Sequence, residues 1–129
     1  MAGAVTSAVL EGLLAEARAA YPRECCGLLF GHGDAITGFR PAANVHPAPE
    51  THFEIDPQAL IDAHRAARGD APRVAGYYHS HPRGPAEPSA TDRALAARDG
   101  MVWAIIGRGE VRLWRAHENG FSALSYTAI

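Results

Sequence analysis

The sequence predicts an α/β (α+β) fold, one domain over residues 1–129 with a central mixed β-sheet flanked by about three helices. Three observations carry this expectation. Apolar residues recur at helical spacing from Ser7 to Tyr21 and again after Asp56. Short apolar runs bounded by glycine, proline or polar turns interleave with those stretches. The last three runs are joined by turns too short for a crossover, so they must pair antiparallel.

Element by element, Val9, Leu10, Leu13, Leu14, Ala17 and Tyr21 share one helical face, and Pro22 closes that helix. Cys25 to Phe30 is an almost wholly apolar run ended by Gly31, which reads as a buried strand. A turn from Gly31 to Asp34 leads into a second strand from Ala35 to Arg40. Asn44 to Glu50 reads as a loop, and His52 to Ile55 as a brief extended segment. Asp56 and Pro57 suit a helix N-cap and first helical position, with Gly69 as the stop. Arg73 to His79 is the next strand, followed by a proline- and glycine-rich loop from Ser80 to Pro88. Ser89 to Arg98 is a third helix, and Met101 to Gly107, Glu110 to His117 and Phe121 to Thr127 form the antiparallel meander.

Bulk composition narrows the function classes. Hydrophobic residues make up 47% and charged residues 20%, the balance of a soluble globular protein. A formal charge of -2 gives no basic patch for nucleic acid, and no apolar run is long enough to span a membrane. The first residues, Met-Ala-Gly-Ala-Val-Thr-Ser, lack the basic and apolar blocks of a secretory signal, so a cytoplasmic location is expected. Cys25 and Cys26 are adjacent; on a strand they point to opposite faces, which rules out a disulfide framework and agrees with a reducing compartment. The chain contains no lysine, so none of its side chains can accept an isopeptide bond through a lysine amine.

The chemically informative stretch is His79-Ser80-His81-Pro82, then, after a spacer, Ser89-Ala90-Thr91-Asp92. Histidines two apart at a strand end project to the same face and can converge on one ion. A carboxylate from the first turn of the next helix completes three ligands. Two imidazoles and one carboxylate, with the fourth position left open, is the donor set of a catalytic zinc site; a structural site would need a fourth protein ligand. Ser89 to Asp92 also fits a helix capping box, and the two roles are compatible. His32, His46, His52, His64 and His117 read as structural or solvated, although the loop around His52 could line a substrate groove.

His-Ser-His-Pro, a seven-residue spacer counted from Pro82 to Pro88, and Ser-x-x-Asp together resemble the motif of the JAMM/MPN metalloproteases. Glu24-Cys25-Cys26-Gly27-Leu28-Leu29-Phe30-Gly31 resembles the strand that precedes it in that family. The resemblance implies a single JAMM/MPN domain of cytidine-deaminase-like architecture, with one catalytic Zn2+ held by His79, His81 and Asp92. It implies that Glu24 hydrogen-bonds the metal's water, acts as general base and passes the proton to the leaving amine. It implies that Ser89 donates a hydrogen bond to the oxyanion. Residue types alone do not choose Glu24 over Glu54 or Glu87 as the base; the resemblance does.

The activity implied is hydrolysis of a peptide or isopeptide bond at the C-terminal tail of a ubiquitin-like or sulfur-carrier protein with a diglycine-type end. Such a tail could pair with an exposed sheet edge beside the metal, with Asn44 to Thr51 and Arg83 to Glu87 as groove walls. Linkage-selective deubiquitination is not expected, because the chain leaves little room for the inserted segments it needs. The alternative is a non-catalytic scaffold of the same fold. A cysteine hydrolase using Cys25 or Cys26 is disfavoured, because a cysteine in an apolar strand behaves as a small buried hydrophobe. A zinc deaminase lacks its ligands here: there is no Cys-x-x-Cys.

Overall fold

The computed structural model describes residues 3–69 and 72–129. Its helices are α1 (Ser7–Ala20), α2 (Pro57–Ala66) and α3 (Ala90–Leu95). Its strands are β1 (Ala4–Val5), β2 (Cys26–His32), β3 (Ala35–Ala42), β4 (Arg73–Ser80), β5 (Val102–Gly107), β6 (Glu110–His117), β7 (Gly120–Leu124) and β8 (Thr127–Ala128). They form one mixed sheet in the order β7-β6-β5-β4-β2-β3-β1-β8. β4 and β5 run parallel, as do β1 with β3 and β1 with β8; the other neighbours are antiparallel. This is the mixed α+β architecture that the alternation of elements predicts.

α1 starts where Thr6 Oγ1 accepts the Val9 N–H at 3.2 Å, and it ends at the residue pair before Pro22. Its expected apolar face is the one that packs: Val9 and Leu13 are buried, with Leu10, Leu14 and Ala17 partly so. Beneath it lie Leu29, Ile36, Tyr78, Ala104, Ile106 and Leu113. The opposite face of the sheet packs Leu28 and Val74 against Ala63 and Leu60 of α2. Strand alternation therefore sends Tyr78 towards α1, and Tyr77 and His79 the other way. Two glycines permit the close centre: a methyl at Gly76 would overlap the Val102 carbonyl, and one at Gly27 the Tyr78 ring.

Several boundaries differ from expectation. The third helix stops at Leu95 rather than Arg98, because Ala96 turns extended (ψ 131°) and the next residues are tied elsewhere. Arg98 Nη1 donates to the Glu118 carbonyl at 2.9 Å, and Gly100 takes φ 77°. The strand expected from Phe121 to Thr127 is two strands at opposite edges. After Leu124 the chain leaves β6, and Thr127–Ala128 pairs with β1, an element too short to show a pattern in sequence. The helix expected to reach Gly69 keeps regular form to Ala66 and continues as a turn, and His52 to Ile55 offers only a single bridge, Asn44 to Ile55. Among the described residues no helix is long and apolar enough to cross a membrane.

Candidate metal centre

β4 ends on His79 and Ser80, and the chain then turns through residues 81–88 into α3 and returns as β5 parallel to β4. The turn is fastened to the sheet: His81 N–H donates to the Ile106 carbonyl at 2.8 Å, and Trp114 Nε1 to the Ala86 carbonyl at 3.1 Å. α3 opens with a reciprocal cap. Ser89 Oγ accepts the Asp92 N–H at 3.0 Å, while Asp92 Oδ2 accepts the Ser89 N–H at 2.9 Å. The cap fixes Asp92 in the first turn, with its carboxylate aimed back at the end of β4.

Three donor groups meet there. His79 Nε2 and His81 Nε2 are 3.1 Å apart, His81 Nε2 is 3.0 Å from Asp92 Oδ2, and His79 Nε2 is 3.2 Å from the same carboxylate. Bonds of 2.0–2.1 Å at tetrahedral angles would set such ligand atoms ~3.3 Å apart, so the spacing suits a small divalent cation. His81 Nδ1 faces the Pro85 carbonyl at 2.8 Å, which places its proton on Nδ1 in the neutral ring and leaves the Nε2 lone pair facing the carboxylate. Lone pairs converging on one point need a cation between them. His79, His81 and Asp92 are thus a group able to hold a metal.

His79 is fully buried and held by aromatic packing rather than by a second hydrogen bond. Phe53 stacks on it with ring centroids 4.2 Å apart, Trp103 stands perpendicular to it with centroids 5.4 Å apart, and its Nδ1 has no partner among the described residues. Burial lowers the His79 pKa, favouring the neutral imidazole that binds metals. Burial also opposes charge on His81, but the Asp92 carboxylate and the Pro85 carbonyl outweigh it and the pKa rises. A proton on His81 and a metal ion are therefore alternative occupants, and metal uptake displaces the proton. Burial works against ionisation of Asp92 too, yet in the metal-free site hydrogen bonds from the His79 ring and from protonated His81 hold its carboxyl well below the usual carboxylate range.

Glu24 arrives from the other side. β2 runs antiparallel to β4 with Cys26 opposite His79, so the residues preceding β2 lie beside the end of β4. Ser80, between the two histidines, ties the junction: its Oγ accepts the Cys25 N–H at 2.9 Å and its N–H donates to the Cys25 carbonyl at 3.1 Å. Burial pushes the Glu24 pKa up to about 7, with His81 pulling it down and Asp92 raising it. A group with that pKa can both take and give a proton near neutrality.

Glu24, His81 and Ser89 line one cavity of about 310 Å³, whose walls include Glu50 and Thr51 on one side and Arg83 to Pro85 and Glu87 on the other. Arg83 and Glu50 approach to 3.7 Å across it. Of the two walls expected from sequence, Arg83 to Glu87 lines this cavity at every residue but Ala86, whereas Asn44 to Thr51 reaches it only through Glu50 and Thr51. His52 lines a neighbouring apolar cavity with Phe53, Tyr77, Leu95 and Trp103, bordered by Asp92. Among the described residues no free sheet edge adjoins the candidate metal centre, contrary to expectation: β4 is paired on both sides, and the outer strands β7 and β8 are three and four positions away. Three residues at the site carry no mark in the sequence: Phe53 against His79, Pro85 against His81, and Asn44, whose amide meets the carbonyls of Glu24 and His52. Each acts through a local contact that leaves no trace in spacing.

A family model described as prokaryotic homologues of the JAB domain matches residues 6–117. A desampylase of Haloferax volcanii is 36% identical over 102 residues, covering 75% of this chain and 73% of that protein. A Thermus thermophilus protein named as a probable TtuB-protein conjugate cleaving protease is 38% identical over 120 residues, covering 90% of this chain and 80% of its own length. The solution structure of a Desulfitobacterium hafniense protein superposes with a TM-score of 0.85 at 31% identity, over 98% of this chain and 92% of that one. The chain belongs to the prokaryotic homologues of the JAB domain, the compact branch of the JAMM/MPN proteins.

Proposed function

We propose that this protein is a zinc-dependent peptidase or isopeptidase that cleaves at the C-terminal tail of a ubiquitin-like or sulfur-carrier protein. The observation that carries the reading is the convergence of His79, His81 and Asp92 within a few ångströms beside a buried Glu24 whose pKa lies near neutrality. The names of the Haloferax and Thermus relatives support conjugates of small ubiquitin-like proteins as the substrate class. Reduced, buried cysteines agree with a cytoplasmic setting.

Zinc held by His79 Nε2, His81 Nε2 and Asp92 would polarise the scissile carbonyl and lower the pKa of water to ~7. The chain's own groups do the rest. Glu24 accepts the proton from the attacking water on a carboxylate oxygen and then delivers it to the leaving amine. Ser89 Oγ already accepts the Asp92 N–H, which leaves its O–H free to donate to the carbonyl oxygen as negative charge develops. Phe53 and Trp103 keep water from His79. The cavity between residues 50–51 and 83–87 takes an extended tail, and glycines at the scissile end pass most easily between such close walls.

The test is incubation of the zinc-loaded protein with a diglycine-tailed carrier fusion, followed by mass spectrometry. Cleavage after the second glycine is expected from the wild type. Glu24→Gln should keep the metal and lose the cleavage. Zinc-free protein that binds the carrier without cutting it would instead make the chain a scaffold.

A further inference from the structure

We propose that Asn44 is a positioning residue, which sets Glu24 and Phe53 against the metal centre through a single side-chain amide; the inference rests on the function proposed above. Glu24 precedes the first residue of β2, so no strand ladder holds it. Both of its backbone polar groups are instead satisfied by the loop of residues 44–54. Glu24 N–H donates to the Pro49 carbonyl at 2.7 Å, and the Glu24 carbonyl accepts from Asn44 Nδ2 at 3.1 Å.

The same amide closes the loop upon itself. Nδ2 also donates to the His52 carbonyl at 3.0 Å and approaches the Pro49 carbonyl at 3.5 Å. Oδ1 accepts the N–H groups of His46 and Glu54, both at 3.1 Å. Carbonyls crowd one side of the amide and N–H groups the other, so its orientation is unambiguous. One residue from each of two of these contacts stands Phe53, whose ring stacks on His79 at 4.2 Å and 16°. One amide thus sets the backbone of the candidate base and the ring that packs on a candidate ligand.

Only a neutral amide can do this at that size. A carboxylate at position 44 would keep the acceptor for His46 and Glu54 but turn an oxygen on the carbonyls of Glu24, Pro49 and His52. Alanine would leave the loop without its central tie. The loop lies at the surface and carries no residue of the two hydrophobic clusters, so its loosening falls on the site before it falls on the core.

The experiment compares full-length wild type, Asn44→Ala and Asn44→Asp, each loaded with zinc. Amide hydrogen exchange by NMR should speed up ~10-fold or more at His46 and Glu54 in Asn44→Ala, which removes their acceptor, and at Glu24, whose N–H is held by the loop, in both variants, while core amides such as Leu29 and Ala104 keep their rates. Zinc should remain at one per chain. On the diglycine fusion, kcat should fall ~100-fold with KM within ~3-fold, because Glu24 is misplaced rather than removed. Unchanged exchange at His46 and Glu54 in Asn44→Ala, or at Glu24 in both variants, overturns the proposal, as does equal acceleration of the core amides, which would mark a purely structural role. If even the wild type cleaves no diglycine fusion, the proposed function fails; the exchange pattern still decides whether Asn44 organises the loop.

Discussion

Gly107→Ala tests whether the turn that carries His81 is as tightly seated as its hydrogen bonds imply. Gly107 ends β5 and is buried. A Cβ built there lies 2.6 Å from the Gly84 carbonyl oxygen, 2.7 Å from the Ala86 nitrogen and 2.7 Å from the Pro85 carbonyl carbon. An ordinary contact needs ~3.5 Å, so the turn must retreat by about 0.8–0.9 Å. It has little freedom to do so, because Ala86 is fully buried and its carbonyl is held by Trp114. Overpacking of this kind costs about 1–3 kcal/mol, or a fall in Tm of roughly 4–12 °C. The atoms displaced include the Pro85 carbonyl that orients His81 Nδ1. Losing such an outer partner weakens metal binding ~10–100-fold. Thermal melts of the metal-free protein read the first quantity, and competition with a chromophoric zinc chelator at 20 °C, where both forms are folded, reads the second. Gly38→Ala is the control, since its added methyl would meet nothing nearer than 3.9 Å. Gly107→Ala protein that melts with the wild type and binds zinc within twofold would refute the reasoning.

Three further outcomes are expected. Metal analysis should find about one zinc per wild-type chain, and His79→Ala and Asp92→Asn should each lose it; retention in both would move the metal elsewhere. Ser89→Ala should cost ~1 kcal/mol through the lost cap and ~100-fold in kcat, while keeping the metal, because the Ser89 N–H still holds Asp92; denaturant melts, kinetics and metal content separate these effects. Burial pushes the Cys25 thiol up to about 11 and the Cys26 thiol up to about 12, so neither is a thiolate near neutral pH. Iodoacetamide should therefore leave both unlabelled in the native protein, label both in urea, and leave cleavage unaffected; rapid loss of activity would revive a cysteine nucleophile.

What could be read in the sequence was whatever a local pattern specifies. The face of α1 shows because Val9, Leu13 and Ala17 recur at helical spacing, and the start of α3 because Ser89 and Asp92 form a cap. The end of α3 does not show: Ala96, Ala97 and Arg98 are good helix formers, and only the long-range tie of Arg98 to Glu118 and the turn at Gly100 override them. β1 and β8 are two residues each and exist through one another and through β3, which no window of sequence displays. The candidate ligands were legible because their spacing on β4 and α3 is itself the signal. The candidate base depended on resemblance, since Glu24 and His79 become neighbours only through the register of β2 on β4. Asn44 and Phe53 had no sequence signal, because their roles are set by how an irregular loop folds back on itself.

That register also explains why the site stands where it does. Ligands in open α/β sheets gather at the carboxyl ends of parallel strands, where crossover connections leave a crevice. β4 and β5 are parallel neighbours joined through α3, so the end of β4, the turn at 81–88 and the first turn of α3 share that crevice. An antiparallel neighbour of β4 necessarily starts at the same end, and β2 is that neighbour. Glu24, two residues before the start of the ladder, is carried there by topology rather than by sequence proximity. The seven-residue spacer has a related task. From His81 the chain must pass over Gly107 of β5 and beneath Trp114 of β6 before α3 can return Asp92 to within 3.0 Å of His81. Its length is therefore set by the width of the strands it crosses, and its closeness to them is what makes Gly107 a position where one added methyl reaches the candidate metal site.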